Sequence, residues 1–252
     1  FQQTKDAKHL AAAERNYEKV MRMYGQVPGG MFGADENARQ GYSGPRQGAE
    51  TCSMVEYMLS FEMLLAITGD PKYADRCEDV AFNSLPASMT ADLKGLHYLT
   101  SPNMVQCDAS NKAPAVENGG CMFAFSPGER YRCCQHNVSH GWPYFSEHLW
   151  MATRGNGLAA VMYAPCEVEA LVADGVKVKI TETTGYPFEG TVTFHVSTPR
   201  EARFPLSFRI PRWCEGAAAM LNGQFVGARI EPGSFLVLDA IWKDGDSLML
   251  SL

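Results

Sequence analysis

The sequence predicts a chain in two parts, helical first and built of short strands afterwards. Apolar residues recur at spacings of three and four over much of the first 150 positions, the period of a helix with one buried face. From Val176 onward they alternate with polar residues, the period of a half-buried strand. A run of helices followed by a run of strands argues for two domains, with the boundary near residues 155 to 160, and 252 residues suffice for two ordinary cores.

Leu10, Ala13, Tyr17, Val20, Met21 and Tyr24 share one face of a helix over residues 5 to 24, with Gly25 as its C-terminal cap. Residues 27 to 49 are Gly-rich and follow neither period. Loops of this length are uncommon unless functional, although Asp35 and Glu36 would equally suit a solvated connector. The run from Met54 to Ile67 is apolar on most of its circumference, which describes a helix buried on several sides. Thr68-Gly69-Asp70-Pro71 stops it and starts another, with Gly at the C-cap, Asp at the N-cap and Pro at the first helical position. The second helix carries Tyr73, Cys77, Val80, Ala81 and Leu85 on one stripe, so the two form a helical hairpin with Cys77 in its core.

Between residues 93 and 132 the pattern is irregular. His97-Tyr98-Leu99-Thr100-Ser101-Pro102 reads as extended chain, and Asn118-Gly119-Gly120 as a turn. Val138, Trp142, Phe145, Leu149 and Ala152 return to helical spacing. Pro143 marks the expected start of that regular helix and Gly155-Asn156-Gly157 its end. Strands follow around Val176 to Ile180, Val192 to Val196 and Leu206 to Ile210, where Ser207 and Arg209 take the polar positions. Asn222-Gly223 is a hairpin turn, and Gly245-Asp246 precedes a last strand from Leu248 to Leu252. His195 reads as a solvent-facing residue of its strand.

Hydrophobic residues make up 46% and charged residues 20%, an ordinary globular balance. A net charge of −6 without any Lys/Arg run excludes the electrostatic footprint of a nucleic-acid binder. No apolar stretch reaches eighteen residues, so no membrane-spanning segment is expected. The opening Phe1-Gln2-Gln3-Thr4-Lys5 is neither a signal peptide nor a lipid-attachment motif and lacks an initiator Met. The expectation is a piece of a longer chain, which leaves cytoplasm and periplasm both open.

Eight cysteines at 52, 77, 107, 121, 133, 134, 166 and 214 form no regular disulfide framework, and reduced thiols fit a domain of this size better. Cys133 and Cys134 are adjacent, and Glu50-Thr51-Cys52 lies more than eighty positions earlier. Three thiols and a carboxylate are the ligand types that close a tetrahedral zinc site. Buried cysteines packing as small apolar residues remain the other reading, because no standard CxxC spacing is present.

Taken together, Gly48-Ala49-Glu50-Thr51-Cys52, the apolar helix after it, Thr68-Gly69-Asp70-Pro71-Lys72-Tyr73, the Cys77 to Leu85 helix, Cys133-Cys134-x-x-Asn137 and Ile210-Pro211-x-Trp213 resemble the β-L-arabinofuranosidase family, glycoside hydrolase family 127 and its relatives. The resemblance implies part of an (α/α)6 barrel followed by an antiparallel β-sandwich. It assigns residues 1–157 to the C-terminal part of the catalytic barrel and 158–252 to the sandwich. It also implies that the N-terminal part of the barrel lies outside this sequence, so the fragment alone is expected to be inactive.

Carried over position by position, the resemblance makes Glu50, Cys52, Cys133 and Cys134 the zinc ligands and Cys133 the nucleophile of a retaining glycosidase that releases β-L-arabinofuranose or a related sugar from plant-derived glycans. The acid/base falls on Glu36, although Gly33-Ala34-Asp35-Glu36 departs from the family's Gly-Glu and leaves Asp35 as a rival. Tyr98 and His136 fall where substrate contacts are expected. His97, His136 and His140 could line the pocket or stay in the helical core. The alternative is a helical scaffold that binds carbohydrate around a structural zinc without cleaving it. A candidate acid at Glu36 favours the enzyme, and labelling of Cys133 by an arabinofuranose-configured electrophile is what would separate the two.

Overall fold

The computed structural model describes residues 1–25, 29–33, 44–45, 47–102, 104 and 132–252. The loop containing Asp35 and Glu36, the Asn118 turn, Cys107 and Cys121 lie outside the described residues. The fold mixes helices and sheets, and the chain divides into two compact units, Phe1–Met63 with Arg76–Phe145, and Leu64–Asp75 with Ser146–Leu252.

In the first unit, α1 (Ala7–Tyr24) starts where the Asp6 carboxylate accepts the Lys8 N–H at 2.9 Å and stops where Gly25 returns its N–H to the Met21 carbonyl. Its apolar stripe is half-buried. Tyr17 meets Phe61 edge-on at 5.5 Å, while the Arg76 guanidinium stacks 3.8 Å from the Tyr17 ring centroid and pairs with Glu14 at 3.1 Å. A two-stranded ribbon joins β1 (Ala49–Glu50) to β2 (Leu99–Thr100), with Glu50 opposite Leu99. The extended reading of residues 97 to 102 therefore holds, whereas β1 is too short to leave a periodic signal.

From the ribbon the chain passes directly into α2 (Thr51–Thr68), which buries Met54, Val55, Met58, Phe61 and Leu65. Only Glu56, Ser60, Ala66 and Thr68 of this helix are exposed, which explains its nearly uniform apolar circumference. Its 18 residues average a hydropathy of 1.2, long and apolar enough to cross a membrane by length and composition alone. A core helix passes the same test, and Glu62 within this one is buried beside Cys77, at 3.6 Å.

Gly69 ends α2 with a left-handed φ of 68°, and the Asp70 carboxylate accepts the Lys72 N–H at 3.0 Å to open α3 (Lys72–Asp79). The helix runs on through a π-helical turn, Val80–Ser84, into α4 (Leu85–Ala87). All five residues of the predicted stripe are buried. The π turn has no sequence signature. It brings the Ser84 hydroxyl to the Gly29 carbonyl at 2.6 Å, and at Gly29, with φ of 103°, an added Cβ would stand 2.7 Å from that hydroxyl.

The last helix, α5 (Arg132–Glu147), departs from expectation at both ends. It runs through Pro143 instead of starting there, because a helix can absorb a single proline by giving up one backbone bond. It stops at Glu147, and Trp150–Ala152 forms β3, so Leu149 and Ala152 matched helical spacing by coincidence.

The second unit holds β3, β4 (Leu158–Ala160), β5 (Cys166–Val172), β6 (Val176–Thr184), β7 (Thr191–Ser197), β8 (Ala202–Ile210), β9 (Ala218–Leu221), β10 (Gln224–Phe225), β11 (Ser234–Trp242) and β12 (Ser247–Ser251). One sheet has the order β10-β9-β12-β7-β6-β5 and the other β11-β8-β4-β3. Pairing is antiparallel apart from β4 with β8, which run parallel and so correct the all-antiparallel expectation. Phe194 of β7 meets Phe208 of β8 at 4.8 Å and Trp150 of β3 at 5.7 Å, which packs one face of each sheet toward the other.

Asn222 and Gly223 both take positive φ, as a two-residue hairpin requires. His195 is exposed, as read. Arg209 is not. It is wholly buried, with Nε donating to the Val161 carbonyl and Nη1 to the Asp75 carboxylate.

Candidate active site

The four residues proposed as metal ligands reach one place from two directions. Thr51 is buried, its N–H donating to the Tyr98 carbonyl at 3.1 Å and its hydroxyl to the His97 carbonyl at 2.6 Å. These bonds tie the first turn of α2 to the chain entering β2. Glu50, at the end of β1, and Cys52, in the first turn of α2, are thereby fixed on either side of Thr51. The first turn of α5 supplies the cysteine pair. Successive helical residues point about 100° apart, so the two thiols leave the helix differently. Cys134 is fully buried against Leu96, Tyr98 and Leu99, whereas Cys133 is exposed.

The ligand atoms of Glu50, Cys52, Cys133 and Cys134 all lie within 4.8 Å of one another. Cys52 Sγ is 3.3 Å from Cys134 Sγ, and Cys134 Sγ is 3.9 Å from a Glu50 carboxylate oxygen. Bonds of about 2.3 Å around a tetrahedral zinc would set sulfurs roughly 3.7 to 3.9 Å apart, so a small outward adjustment accommodates the ion. The donor chemistry agrees. The contact with Cys134 and then burial push the Cys52 thiol well above its ordinary pKa, and partial desolvation by its neighbours, followed by the Cys52 contact, raises the otherwise exposed Cys133. Thiols this crowded do not ionise side by side unless a cation shares their charge. This Glu/Cys cluster can hold a metal ion.

Tyr98 is buried in the same apolar cluster as Cys134, with 5% of its surface exposed. His136 is exposed and stands three residues after Cys133, on the same side of α5. His97 is fully buried; His140 is exposed, 5.4 Å from the ring of Tyr144. Glu36 and its rival Asp35 lie outside the described residues, so the acid/base assignment has no geometry here. Reading by residue type missed two participants. Thr51 anchors the ribbon, and Asn137 lies beside the Cys52 thiol, where its amide works against the upward shift of that thiol's pKa. The spacing Cys134-x-x-Asn137 was the available signal for the second, since three residues along a helix return to the same face.

The profile described as the β-L-arabinofuranosidase GH127 catalytic domain matches residues 1–147, and that of the GH127 middle domain matches residues 157–252. No curated protein matches the chain. Among solved structures, one described as a GH127 β-arabinofuranosidase aligns over 98% of this chain with a TM-score of 0.79 at 20% identity. A GH127 β-L-arabinofuranosidase from Geobacillus stearothermophilus aligns over 92% with a TM-score of 0.74 at 23% identity. A protein described as a glycoside hydrolase aligns over 92% with a TM-score of 0.72, again at 23%. The present chain spans 41%, 36% and 39% of the glycoside hydrolase, the Geobacillus enzyme and the GH127 β-arabinofuranosidase respectively, about two fifths of each. Likeness at these identities speaks for the fold, while the two domain profiles between them cover nearly every residue. The chain belongs to the GH127 β-L-arabinofuranosidase family.

Proposed function

We propose that this chain is part of a retaining, zinc-dependent cysteine glycosidase that releases β-L-arabinofuranose or a closely related sugar from plant-derived glycans. The observation that carries this reading is the convergence of three thiols and a carboxylate within 4.8 Å, with one of the thiols exposed. Glu50, Cys52, Cys133 and Cys134 would hold the zinc, which when bound keeps sulfur in the thiolate form at neutral pH.

In the first step the Cys133 sulfur attacks the anomeric carbon from the face opposite the leaving group. A thioglycosidic bond forms as the glycosidic bond breaks, while the Glu36 carboxylic acid gives its proton to the departing oxygen. In the second step the Glu36 carboxylate takes a proton from water, whose oxygen displaces the sulfur. Two inversions give net retention. His136, on the Cys133 side of α5, and Tyr98, packed behind Cys134, are proposed to contact or back the bound sugar. Residues 1–157 are proposed as the C-terminal part of an (α/α)6 barrel and 158–252 as a β-sandwich. The aromatic contacts between the two sheets support the second assignment.

The test is covalent labelling of the full-length, metal-loaded protein with an arabinofuranose-configured electrophile, followed by peptide mapping. Modification of Cys133 that is blocked by free L-arabinose is the expected result. Unmodified Cys133, with metal present in full stoichiometry, would leave only a structural metal site.

A further inference from the structure

The second unit contains a cavity that shares no lining residue with the thiol cluster. It lies between the last turn of α2 and the face of the four-stranded sheet opposite to the one that meets Phe194, and its volume is about 730 Å³. That falls within the roughly 300 to 1,000 Å³ typical of small-molecule sites. Phe235 and Val237 of β11, Ser207 of β8, Thr153 and Arg154 of the β3–β4 turn and Thr68 of α2 form its walls.

Two of these residues have polar groups that no other described residue uses. The Thr153 hydroxyl is buried and makes no hydrogen bond among the described residues, an uncommon state for a buried polar atom. Arg154 is exposed and pairs with no carboxylate among the described residues.

The turn carrying both is held firmly. Thr153 N–H donates to the Gly157 carbonyl at 2.9 Å, and the Asn156 carbonyl accepts from Ala173 at 2.8 Å. Gly157 lies so close against Pro205 that no side chain would fit. A preorganised wall of this kind loses little freedom on binding.

The lining also selects a chemical class. It offers hydroxyl and guanidinium donors, the carbonyl acceptors that end a helix, and an aromatic ring beside a branched aliphatic side chain. A single cation opposite the negative end of a helix dipole favours neither an anion nor a second cation. A neutral ring with hydroxyls at its rim and C–H bonds on its face satisfies all of these. We propose that this cavity is a second carbohydrate-binding site, taking a neutral sugar unit of the glycan other than the one presented to Cys133. The proposal rests on the glycan-directed reading of the protein.

The experiment uses the full-length, metal-loaded protein and the variants Phe235→Ala and Thr153→Val. The second variant keeps the shape of its side chain and removes only the hydroxyl. Saturation-transfer NMR with a neutral L-arabinose oligosaccharide, recorded with Glu36→Gln added to each protein so that the sugar is not hydrolysed, reads binding. The expected result is a loss of affinity of about 3- to 10-fold for Phe235→Ala, the scale of an aromatic contact, and a smaller loss for Thr153→Val. In kinetics, KM for an oligosaccharide substrate should rise by a similar factor, with kcat and all constants for a single-sugar aryl glycoside unchanged. Unaltered oligosaccharide affinity in both variants, or equal losses on both substrates, overturns the site. Failure to hydrolyse any arabinofuranoside would remove the catalytic reading, yet the binding measurement would still decide this one.

Discussion

Asp75→Asn isolates one buried interaction whose cost can be worked from the structure. Arg209 is wholly buried, and its Nη1 donates to an Asp75 carboxylate that keeps 18% of its side-chain surface in contact with solvent. Burial raises the Asp75 pKa and the neighbouring Arg209 charge lowers it, with burial the larger effect. The intact pair is therefore no great source of stability, because desolvation outweighs attraction. Breaking it is another matter. Removing one partner of a buried pair costs about 3 to 5 kcal/mol, and the residual solvent access to Asp75 argues for about 3. That corresponds to a fall in Tm of roughly 6 to 12 °C for a protein part of 150 to 250 residues. Urea unfolding monitored by circular dichroism measures it, with Asp75→Asn/Arg209→Met as the control, since deleting both charges should recover most of the loss. A raised carboxyl pKa contributes stability below the ordinary carboxylate value that is lost as pH rises through the raised one, so Asp75→Asn should also flatten that limb of the stability profile. A change below about 1 kcal/mol, or a double variant no more stable than the single, would refute the reasoning.

The other predictions concern the site and its supports. Glu36→Gln in the full-length enzyme should leave metal content unchanged while slowing hydrolysis of substrates with poor leaving groups by at least about 100-fold; normal turnover would transfer the role to Asp35 or elsewhere. Cys52→Ala should weaken zinc binding by more than the roughly 10- to 100-fold lost when outer contacts are removed, measured by competition with a chromophoric chelator. Gly30→Ala should cost about 1 to 2 kcal/mol in chemical denaturation, because φ there is 72° and the new methyl would stand 3.0 Å from Asp79 Cβ. Unchanged stability would mean that this segment moves freely away from the helix.

How much of this was legible in the sequence depended on how far each signal reached along the chain. The Tyr73 to Leu85 stripe and the Thr68 to Pro71 junction could be read because period and caps are local, and every residue of the stripe is buried, with Ala74 and Glu78 buried beside them. β11 escaped because it is apolar on both faces, Leu236 and Trp242 inward and Val237 and Ile241 outward, so alternation disappears. Arg209 was misplaced for a related reason. It occupies an outward position in the strand alternation, and partners distant in sequence cover it: the Val161 carbonyl and the Asp75 carboxylate, the latter 134 positions away. In the candidate site the ligand residues could be named from their types, but not the scaffold that orients them. Glu50 is held by a ribbon two residues long, and Thr51 by carbonyls of His97 and Tyr98, contacts that leave no periodic trace.

The same scaffold bears on the division of labour between two chemically identical neighbours. Cys133 and Cys134 share a helix turn, and either sulfur could in principle attack a sugar. Cys134 has no exposed surface, lies 3.3 Å from Cys52, and is enclosed by Leu96, Tyr98 and Leu99. An anomeric carbon approaching it would have to displace that packing, with the loss of buried apolar contacts this entails. Cys133 points about 100° away on the helix and is the one exposed donor of the four. Cys134 is closed off by protein, Cys52 is half-buried, and Cys133 is the most open of the three sulfurs. Helix geometry and burial thus support Cys133, the nucleophile that the family likeness implies, over its neighbour. They also predict that the side chain one position further along tolerates no bulk, because its surroundings are already full.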